Sequence, residues 1–295
     1  MSFFKKKKIL VTHDGTFHAD DLFATAILSI LFDGNIKVIR TRDPKLIERA
    51  DVVYDVGGIY NPLTNRFDHH QKGGAGTRSN GIPYAAFGLM WKTYGEQICG
   101  SKEVAENIDE SLVQSIDADD NGMNLFTPLG EAKPYIVQSV INAFRPSWKE
   151  GEDFDGPFFE LVDFFKKFLL RKIKKEADRQ EAKDFIKKAY QEAEDKRYIV
   201  LEDQYPWRKT FMEYPLPLYV IVPKIEKWNV YCVQKEEGSY ENRKDLPEAW
   251  AGLRDQELAK VTGVPDATFC HNGRFLAVAK SKEGAIELAR KAVLA

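Results

Sequence analysis

Residues 8–56 alternate short apolar runs with segments of helical spacing. The apolar runs are Lys8–Thr12, Ile36–Thr41 and Asp51–Val56, and the helical patterns between them are Leu22–Phe32 and Pro44–Arg49. Strands that alternate with helices in this way form a parallel sheet with helices on both faces, which predicts an α/β domain. Because ligands gather at the carboxyl ends of parallel strands, we expect the residues after each run to share a crevice.

A long helical segment separates this first region from a second one. Between Pro157 and Pro206 the chain has neither glycine nor proline, and residues 158–195 keep helical spacing with many charged side chains. Strand patterns follow it, including a predicted strand over Thr268–Ala279, and a final helix starts near Glu283. We therefore expect a catalytic domain over residues 1–195, connecting helix included, and a smaller carboxy-terminal α/β domain over residues 196–295.

Composition narrows the class of protein. Lys and Arg number 43 against 45 Asp and Glu, a net charge of -2, which argues against a uniformly basic nucleic-acid binder but allows a local basic channel. The three cysteines lack C-x-x-C spacing, so neither a disulfide framework nor a thiolate zinc site is expected. With no apolar run of about 18 residues and no signal-peptide pattern, we expect a cytoplasmic protein without membrane contact.

Four of the five histidines fall between positions 13 and 70, each close to an aspartate. Imidazole and carboxylate groups are ligands for divalent ions that activate water, and two such ions balance about four carboxylates. The candidate ligands from successive strand ends and turns are His13, His18, Asp20, Asp55, the run Asp68-His69-His70, and Asp117. This pattern predicts a site with two divalent metal ions.

These residues form four motifs in a fixed order. They are His13-x4-His18-x-Asp20, Val53-Tyr54-Asp55-Val56-Gly57, Asp68-His69-His70 and Asp117-x2-Asp120-Asn121-Gly122. In this order they resemble the metal motifs of the DHH phosphoesterase superfamily, and specifically of its branch named after the melanocyte proliferating gene exonuclease. Later stretches, Asn142-x2-Arg145-Pro146-x-Trp148 and Gly252-Leu253-Arg254-Asp255, extend the resemblance over nearly the whole chain.

The resemblance implies a two-domain, DHH-phosphoesterase-like fold and a dinuclear site, usually of Mn2+, with Mg2+ as the alternative. The first ion would be held by His13, His18 and Asp55, and the second by Asp20, Asp55, His69 and Asp117, with Asp55 bridging. The first motif has one extra residue, and His18 stands where the superfamily has its first aspartate. Asp117 is favoured over Asp120 because it directly follows the predicted helix end.

Further residues are expected to handle the phosphate. Asp68 would orient an imidazole, and His70 would contact phosphate or donate a proton, with a structural role as the alternative. Planar guanidinium groups suit phosphate, although any single arginine also fits a surface ion pair. The candidate substrate-binding residues are Arg145, Arg254, His271, Asn272, Gly273 and Arg274, and Arg274 would also neutralise developing charge.

Asp14, Asp21 and Asp119 fit helix caps and turns as well as catalysis, and Gly73–Gly81 fits a phosphate cradle or a flexible connection.

The leading hypothesis is a metal-dependent phosphodiesterase with its site between two domains, acting as a 3'-5' exoribonuclease or on short oligonucleotides. The alternative within enzymes is hydrolysis of a small molecule such as pyrophosphate, a cyclic dinucleotide or a nucleotide. A non-enzymatic alternative is a metal-stabilised nucleic-acid-binding protein. The expected partner is RNA or a short oligonucleotide, and the sequence leaves the oligomeric state open, a homodimer included.

Overall fold

The computed structural model describes residues 6–127, 130–236 and 238–295. The chain divides into two compact units between Ala177 and Asp178. The division falls within one helix of 38 residues. Each unit contains a five-stranded mixed sheet and several helices, which confirms the predicted α/β class. Within the described ranges, no helix combines the length and apolar content needed to cross a lipid bilayer.

The sheet of the first unit is parallel except at one edge. Its strands are β1 (Lys8–Thr12), β2 (Ile36–Arg40), β3 (Val52–Tyr54), β4 (Tyr60–Asn61) and β5 (Arg66–Phe67). They lie in the order β2-β1-β3-β5-β4, and only the β4 and β5 pair is antiparallel. Leu10 on β1 pairs with Val38 on one side and Val52 on the other. The carboxyl ends of β1, β3 and β5 therefore lie at one edge of the sheet.

Helices bury the apolar faces of this sheet. They are α1 (Ala19–Leu31), α2 (Pro44–Arg49), α3 (Ala86–Cys99), α4 (Lys102–Ile108), α5 (Gln114–Asp120), α6 (Val137–Phe144) and α7 (Asp155–Glu192). The first eleven residues of α1 are all buried, which carries two acidic side chains of its first turn into the core. Phe23 of α1 packs against Phe87 of α3 and Phe165 of α7. These contacts fix the start of α1 beneath the carboxyl ends of the strands.

The fourth motif lies inside a helix, where the sequence predicted an acidic turn. A π-helical turn, Asp109–Val113, joins α4 to α5, so the helical path continues to Asp120. Asp117 therefore lies within α5, three positions before its last residue, Asp120. The expectation that it directly follows a helix end was wrong, because the Asp117 carboxylate binds Arg78 and the Gly88 backbone N–H on other segments, and α5 continues to Asp120.

The second unit has its own sheet. Its elements are β6 (Tyr198–Val200), α8 (Arg208–Met212), β7 (Tyr219–Lys224), β8 (Lys227–Cys232), α9 (Asp255–Thr262), β9 (Ala267–Cys270), β10 (Leu276–Ala279) and α10 (Lys282–Leu294). The strand order is β6-β7-β8-β10-β9, with β6 and β7 parallel and the other pairs antiparallel. The single strand predicted over Thr268–Ala279 is two strands. Its central turn reverses the chain, and Arg274 there has a left-handed backbone with φ +56°.

Candidate metal centre

Three parallel strands end in the residues of the first three motifs. His13 follows β1, Asp55 follows β3, and Asp68-His69-His70 follows β5. The third motif lies beside Asp55, since a nitrogen of His70 is 3.6 Å from an oxygen of Asp55. Asp55 itself has a left-handed backbone with φ +55°. This conformation is unfavourable for an aspartate, and residues that adopt it cluster at functional sites. The strand ends thus meet as the sequence predicted.

His13 is held so that one ring nitrogen faces carboxylates. Its Nδ1 donates to the backbone carbonyl of Asp14 at 3.0 Å. Its Nε2 lies 3.2 Å from Asp55 Oδ2 and 3.3 Å from Asp21 Oδ2. Burial opposes protonation, but the neighbouring carboxylates of Asp55 and Asp21 raise the pKa of His13 to about 9. The ring is therefore oriented by a backbone bond, as metal-ligating histidines usually are.

His18 joins His13 at the start of α1. The ring centroids of the two histidines are 5.4 Å apart. Asp21 Oδ1 accepts from the His18 backbone N–H at 2.8 Å, which caps the helix. Burial and the charge of His13 lower the pKa of His18. A nitrogen of each histidine and an oxygen of Asp21 all lie within 4.8 Å of one another, so these three residues form one candidate ligand group.

His69 connects a second group to the first. Its Nε2 is 3.1 Å from Asp120 Oδ2, and its Nδ1 is 4.0 Å from both Asp20 Oδ2 and Asp55 Oδ1. Asp20, His69 and Asp120 meet the same 4.8 Å criterion, as do Asp55, Asp68, His69 and His70. One imidazole therefore lies among carboxylates from the first, second and fourth motifs.

The start of α3 holds the Asp20 carboxylate. The backbone N–H groups of Ala86 and Phe87 donate to it at 3.0 and 2.6 Å. A helix N-terminus favours an anion in this position. Burial nonetheless raises the pKa of Asp20 well above its usual value, and the charges of Asp120 and Asp55 raise it further. The carboxylates of the cluster therefore carry more negative charge than the other side chains of the cluster neutralise.

Asp68 and His70 form an ordered pair beside the cluster. His70 Nδ1 donates to Asp68 Oδ1 at 2.7 Å, and the backbone N–H of Gly58 also donates to the Asp68 carboxylate. Although burial opposes it, these hydrogen bonds lower the pKa of Asp68 to about 2. The bond to Asp68 raises the pKa of His70, whose ring stacks on His69 at 4.2 Å. The His70 side chain is 60% exposed, unlike the buried His69.

Asp117 has a different set of partners. Arg78 Nη1 lies 2.7 Å from Asp117 Oδ2, and the backbone N–H of Gly88 donates to Asp117 Oδ1 at 3.0 Å. The same guanidinium binds Asp109 through two hydrogen bonds, at 2.9 and 3.2 Å. Burial raises the pKa of Asp117 to about 7 although Arg78 opposes this shift, whereas Asp120 contacts His69.

The residues present fit divalent ions. Within the described part of the chain, His13 Nε2, Asp21 Oδ2 and His69 Nδ1 are buried and make no hydrogen bond, and the same holds for Asp117 Oδ2 beside Arg78. Buried polar atoms are nearly always paired, so the first three atoms are placed as ligands for an ion would be. Imidazole nitrogen and carboxylate oxygen are suitable donors for Mn2+, and oxygen donors also suit Mg2+. The donor set therefore agrees with metal binding at the strand ends.

A cavity of about 600 Å³ opens from this cluster. Its lining includes His13, His18, Asp55, His70 and Asp120. Among the described lining residues, Arg42 is the one guanidinium or ammonium side chain. Arg42 follows β2 and donates to the Asp14 backbone carbonyl at 2.8 Å, and it also pairs with the Asp14 carboxylate. The cavity thus combines candidate metal ligands with the cationic side chain of Arg42.

The predicted phosphate-binding arginines lie in different surroundings. Arg145 belongs to the first unit and donates through Nε to the Phe17 carbonyl at 2.9 Å, so it supports the loop before α1. In the second unit, the run His271–Arg274 forms the turn between β9 and β10. Arg274 Nη2 donates to Asp245 Oδ2 at 3.0 Å, and the Arg254 guanidinium stacks over the Phe269 ring at 4.7 Å. The turn and Arg254 therefore flank the same strand, β9.

Within the turn, the His271 ring is fixed by its neighbours. Its Nδ1 accepts a hydrogen bond from the Gly273 backbone N–H at 2.9 Å, and its ring lies 4.2 Å from that of Phe275. Asn272 is exposed at the tip of the turn. The turn is thus a compact surface feature with a histidine and an arginine on either side of Asn272 and Gly273.

Sequence reasoning missed several residues at the centre. Arg42 was detectable, because it follows a parallel strand at the edge where ligands gather. Asp21 was weighed only as a cap or turn residue, and the structure gives it two contacts, one to the His18 backbone and one to His13. Arg78 had no local signal, since its partners Asp109 and Asp117 are 31 and 39 positions away.

Comparisons with known proteins agree with the motifs. The model of the MYG1 exonuclease family, described as the uncharacterised protein family UPF0160, matches residues 9–293. A MYG1 protein of Schizosaccharomyces pombe is 29% identical over 317 residues, which cover 96% of this chain and 97% of that protein. The MYG1 exonuclease of Mus musculus is 29% identical, with coverage of 95% and 83%. A MYG1 protein of Chlamydia pneumoniae is 33% identical, with coverage of 92% of each chain.

Proposed function

The chain belongs to the MYG1 exonuclease family, and from that premise we propose that it is a metal-dependent nuclease. Its substrate is RNA or a short oligonucleotide, which it shortens from the 3' end by hydrolysis of phosphodiester bonds. The observation that carries this proposal is the convergence of four histidines and several aspartates at the ends of three parallel strands. Relatives at about 29% identity are named exonucleases, which supports the same reaction class.

We assign the ligands from the three groups of side chains. His13, His18, Asp21 and Asp55 would hold one divalent ion, and Asp20, Asp55, His69 and Asp120 would hold the other. Asp120 takes the place of Asp117 in this proposal, because Asp120 lies 3.1 Å from His69 whereas Asp117 pairs with Arg78. Two ions of this kind, when bound, supply an activated water and stabilise charge in phosphoryl displacement. Mn2+ is the proposed metal, with Mg2+ as the alternative.

The remaining residues position the substrate and move protons. Asp68 fixes His70 through Nδ1, so Nε2 is the nitrogen left to contact phosphate or to protonate the leaving oxygen. Arg42 provides a cation on the cavity wall for a nonbridging phosphate oxygen. The oxygen of water would form a bond to phosphorus and lose one proton to solvent, while the bond from phosphorus to the leaving oxygen breaks and the His70 proton ends on that oxygen.

The second unit is proposed to bind the rest of the substrate. Arg254 lies beside Phe269 of β9, the turn His271–Arg274 follows the end of the same strand, and guanidinium groups recognise phosphate well. This division into a catalytic and a substrate-binding part is the arrangement that the resemblance to DHH phosphoesterases implies. Recognition by the second unit would add specificity that the metal-binding motifs lack.

The decisive experiment compares substrates side by side. The purified full chain with Mn2+ would receive short RNA and short DNA, each labelled at either end, together with pyrophosphate and cyclic dinucleotides. We expect stepwise shortening of RNA from the 3' end, and no hydrolysis by an Asp55→Ala variant with reduced metal content. Cleavage of pyrophosphate or cyclic dinucleotides alone would replace the proposal by a small-molecule phosphohydrolase. Binding of RNA without cleavage of any substrate would identify a non-enzymatic nucleic-acid-binding protein.

A further inference from the structure

A second cavity, of about 420 Å³, adjoins the metal cluster in the first unit. Its walls come from the end of α5, the segment after it and the start of α6. The apolar side chains on these walls are Ile116, Met123, Leu125, Phe126, Tyr135, Ile136 and Val137. Polar groups of Ser115, Asn124 and Gln138 complete the lining. Apolar walls with a few polar atoms are characteristic of small-molecule sites.

This cavity and the cluster cavity have a common wall. Asp119 and Gln138 line both of them. Gln138 Oε1 accepts from the Ala19 backbone N–H at 2.9 Å, and its Nε2 donates to Asn142 at 2.9 Å, so its side chain is fixed. Ala19 lines the apolar cavity, and the next residue, Asp20, belongs to the cluster. The two cavities therefore adjoin at Asp119 and Gln138.

The lining exposes aromatic surface to solvent. Tyr135 is 75% exposed and Phe126 is 48% exposed, although both could bury their rings in a packed core. Exposed apolar surface beside a polar site commonly marks a ligand-binding position. Aromatic rings bind flat, apolar groups by stacking, and every nucleobase has such a face.

A single ligand that fills both cavities must have an anionic group and a flat apolar group, and a short linker must join the two groups. A nucleotide has this form, because its sugar joins the phosphate to the base. We propose that the apolar cavity binds the base of the terminal nucleotide whose phosphate lies at the metal cluster. This inference rests on the proposed nuclease function and deepens it by assigning a base subsite to Tyr135 and Phe126.

Binding of a product and its base-free analogue tests the subsite directly. Titration calorimetry on the full chain with Mn2+ would compare adenosine 5'-monophosphate with ribose 5-phosphate, which has the same sugar and phosphate. We expect the nucleotide to bind at least about tenfold more tightly, in line with one base stacked on an aromatic ring. Equal Kd values in a protein that hydrolyses RNA would overturn the base subsite and leave the nuclease function standing.

Variants of residues that line the apolar cavity test whether this cavity causes the preference for the nucleotide over ribose 5-phosphate. Tyr135→Ala, and Val137→Trp as a variant that fills the cavity, should bring the two Kd values together while the Kd of ribose 5-phosphate stays constant. Tyr240→Ala is the matched control, because Tyr240 is 99% exposed in the second unit and lines neither cavity. An unchanged preference for the nucleotide in both cavity variants would place the base elsewhere. A change from dimer to monomer in these variants, measured by light scattering, would assign the surface to a second copy and overturn the subsite.

Discussion

Arg78 Nη1 lies 2.7 Å from Asp117 Oδ2, at a position where the guanidinium also binds Asp109. Both members of the pair are buried, with exposed side-chain fractions of 7% and 0%. Burial raises the pKa of Asp117 to about 7, and Arg78 offsets part of this effect. Asp120, three residues later, contacts His69 instead, and this difference separates the two acids of the fourth motif.

The first prediction separates Asp117 from Asp120 by metal content. Asp120→Asn should lose about one of two bound ions, because an amide oxygen carries no charge to offset the metal. Asp117→Asn should keep both ions but lower the free energy of unfolding by roughly 1–3 kcal/mol, because Arg78 loses a charged partner. Elemental analysis and denaturant titration measure the two effects. Loss of metal from Asp117→Asn alone would return the ligand role to Asp117.

The second prediction concerns the close approach of α3 to Asp117. A Cβ atom on Gly88 would lie 1.7 Å from Asp117 Oδ2 and 2.8 Å from Arg78 Nη2. Gly88→Ala should therefore displace the ion pair and lower the free energy of unfolding by about 1–3 kcal/mol. Gly130→Ala is the control, because a Cβ there has no neighbour within 4 Å among the residues that the structure describes. Equal denaturant midpoints for the two variants would contradict this packing.

Much of the centre could be predicted because its signals are local. The strands before His13 and Asp55 are short apolar runs, and the acidic first turn of α1 precedes an apolar helical pattern. Parallel strands then bring their carboxyl ends together whatever the details of packing. The sequence therefore predicted that His13 and Asp55 follow neighbouring parallel strands, and the structure has them there.

The choice between Asp117 and Asp120 depended on distant contacts. The helix α5 continues through Asp117 to Asp120, and the Asp117 carboxylate pairs with Arg78. The periodicity of the sequence carries no information about a partner 39 positions away. The turn at His271–Arg274 was missed for another reason, because the apolar pattern continues on both sides of it while the reversal depends on backbone conformation.

The third prediction assigns the exposed histidine to proton transfer. His70→Ala should lower kcat by roughly 10²- to 10⁴-fold, as loss of a general acid does, and leave both metal ions in place. Asp68→Asn should lower kcat less, since it weakens the orientation of the His70 ring but keeps the ring. Steady-state kinetics and elemental analysis on the same samples provide the measurement. A metal-depleted His70→Ala protein would show that His70 is a ligand.

The fourth prediction concerns the cation on the cavity wall. Arg42→Ala should raise KM for oligonucleotides about tenfold, because one phosphate contact is removed. For the same reason, the slope of the logarithm of the binding constant against the logarithm of salt concentration should decrease in magnitude by about one. Stability should hardly change, because the pair with Asp14 is largely exposed and such pairs contribute little. Arg49→Ala, an exposed arginine of the same unit outside the cavity, is the control. Equal KM values for the two variants would remove Arg42 from substrate binding.

The last prediction tests whether the second unit binds substrate through Arg274. Arg274→Ala should raise KM for oligonucleotides about tenfold or more, which corresponds to a charged hydrogen bond of roughly 1.5–3 kcal/mol. A minimal chromogenic phosphodiester has no neighbouring phosphate, so its hydrolysis should hardly change. Asp245→Asn is the informative companion, because it frees the guanidinium from the carboxylate 3.0 Å away while keeping the arginine. If Arg274 holds phosphate, removing its competing anion should leave KM unchanged or lower it. A KM that rises equally in both variants would mean that the pair only stabilises the turn, and the recognition of phosphate would then belong to other residues.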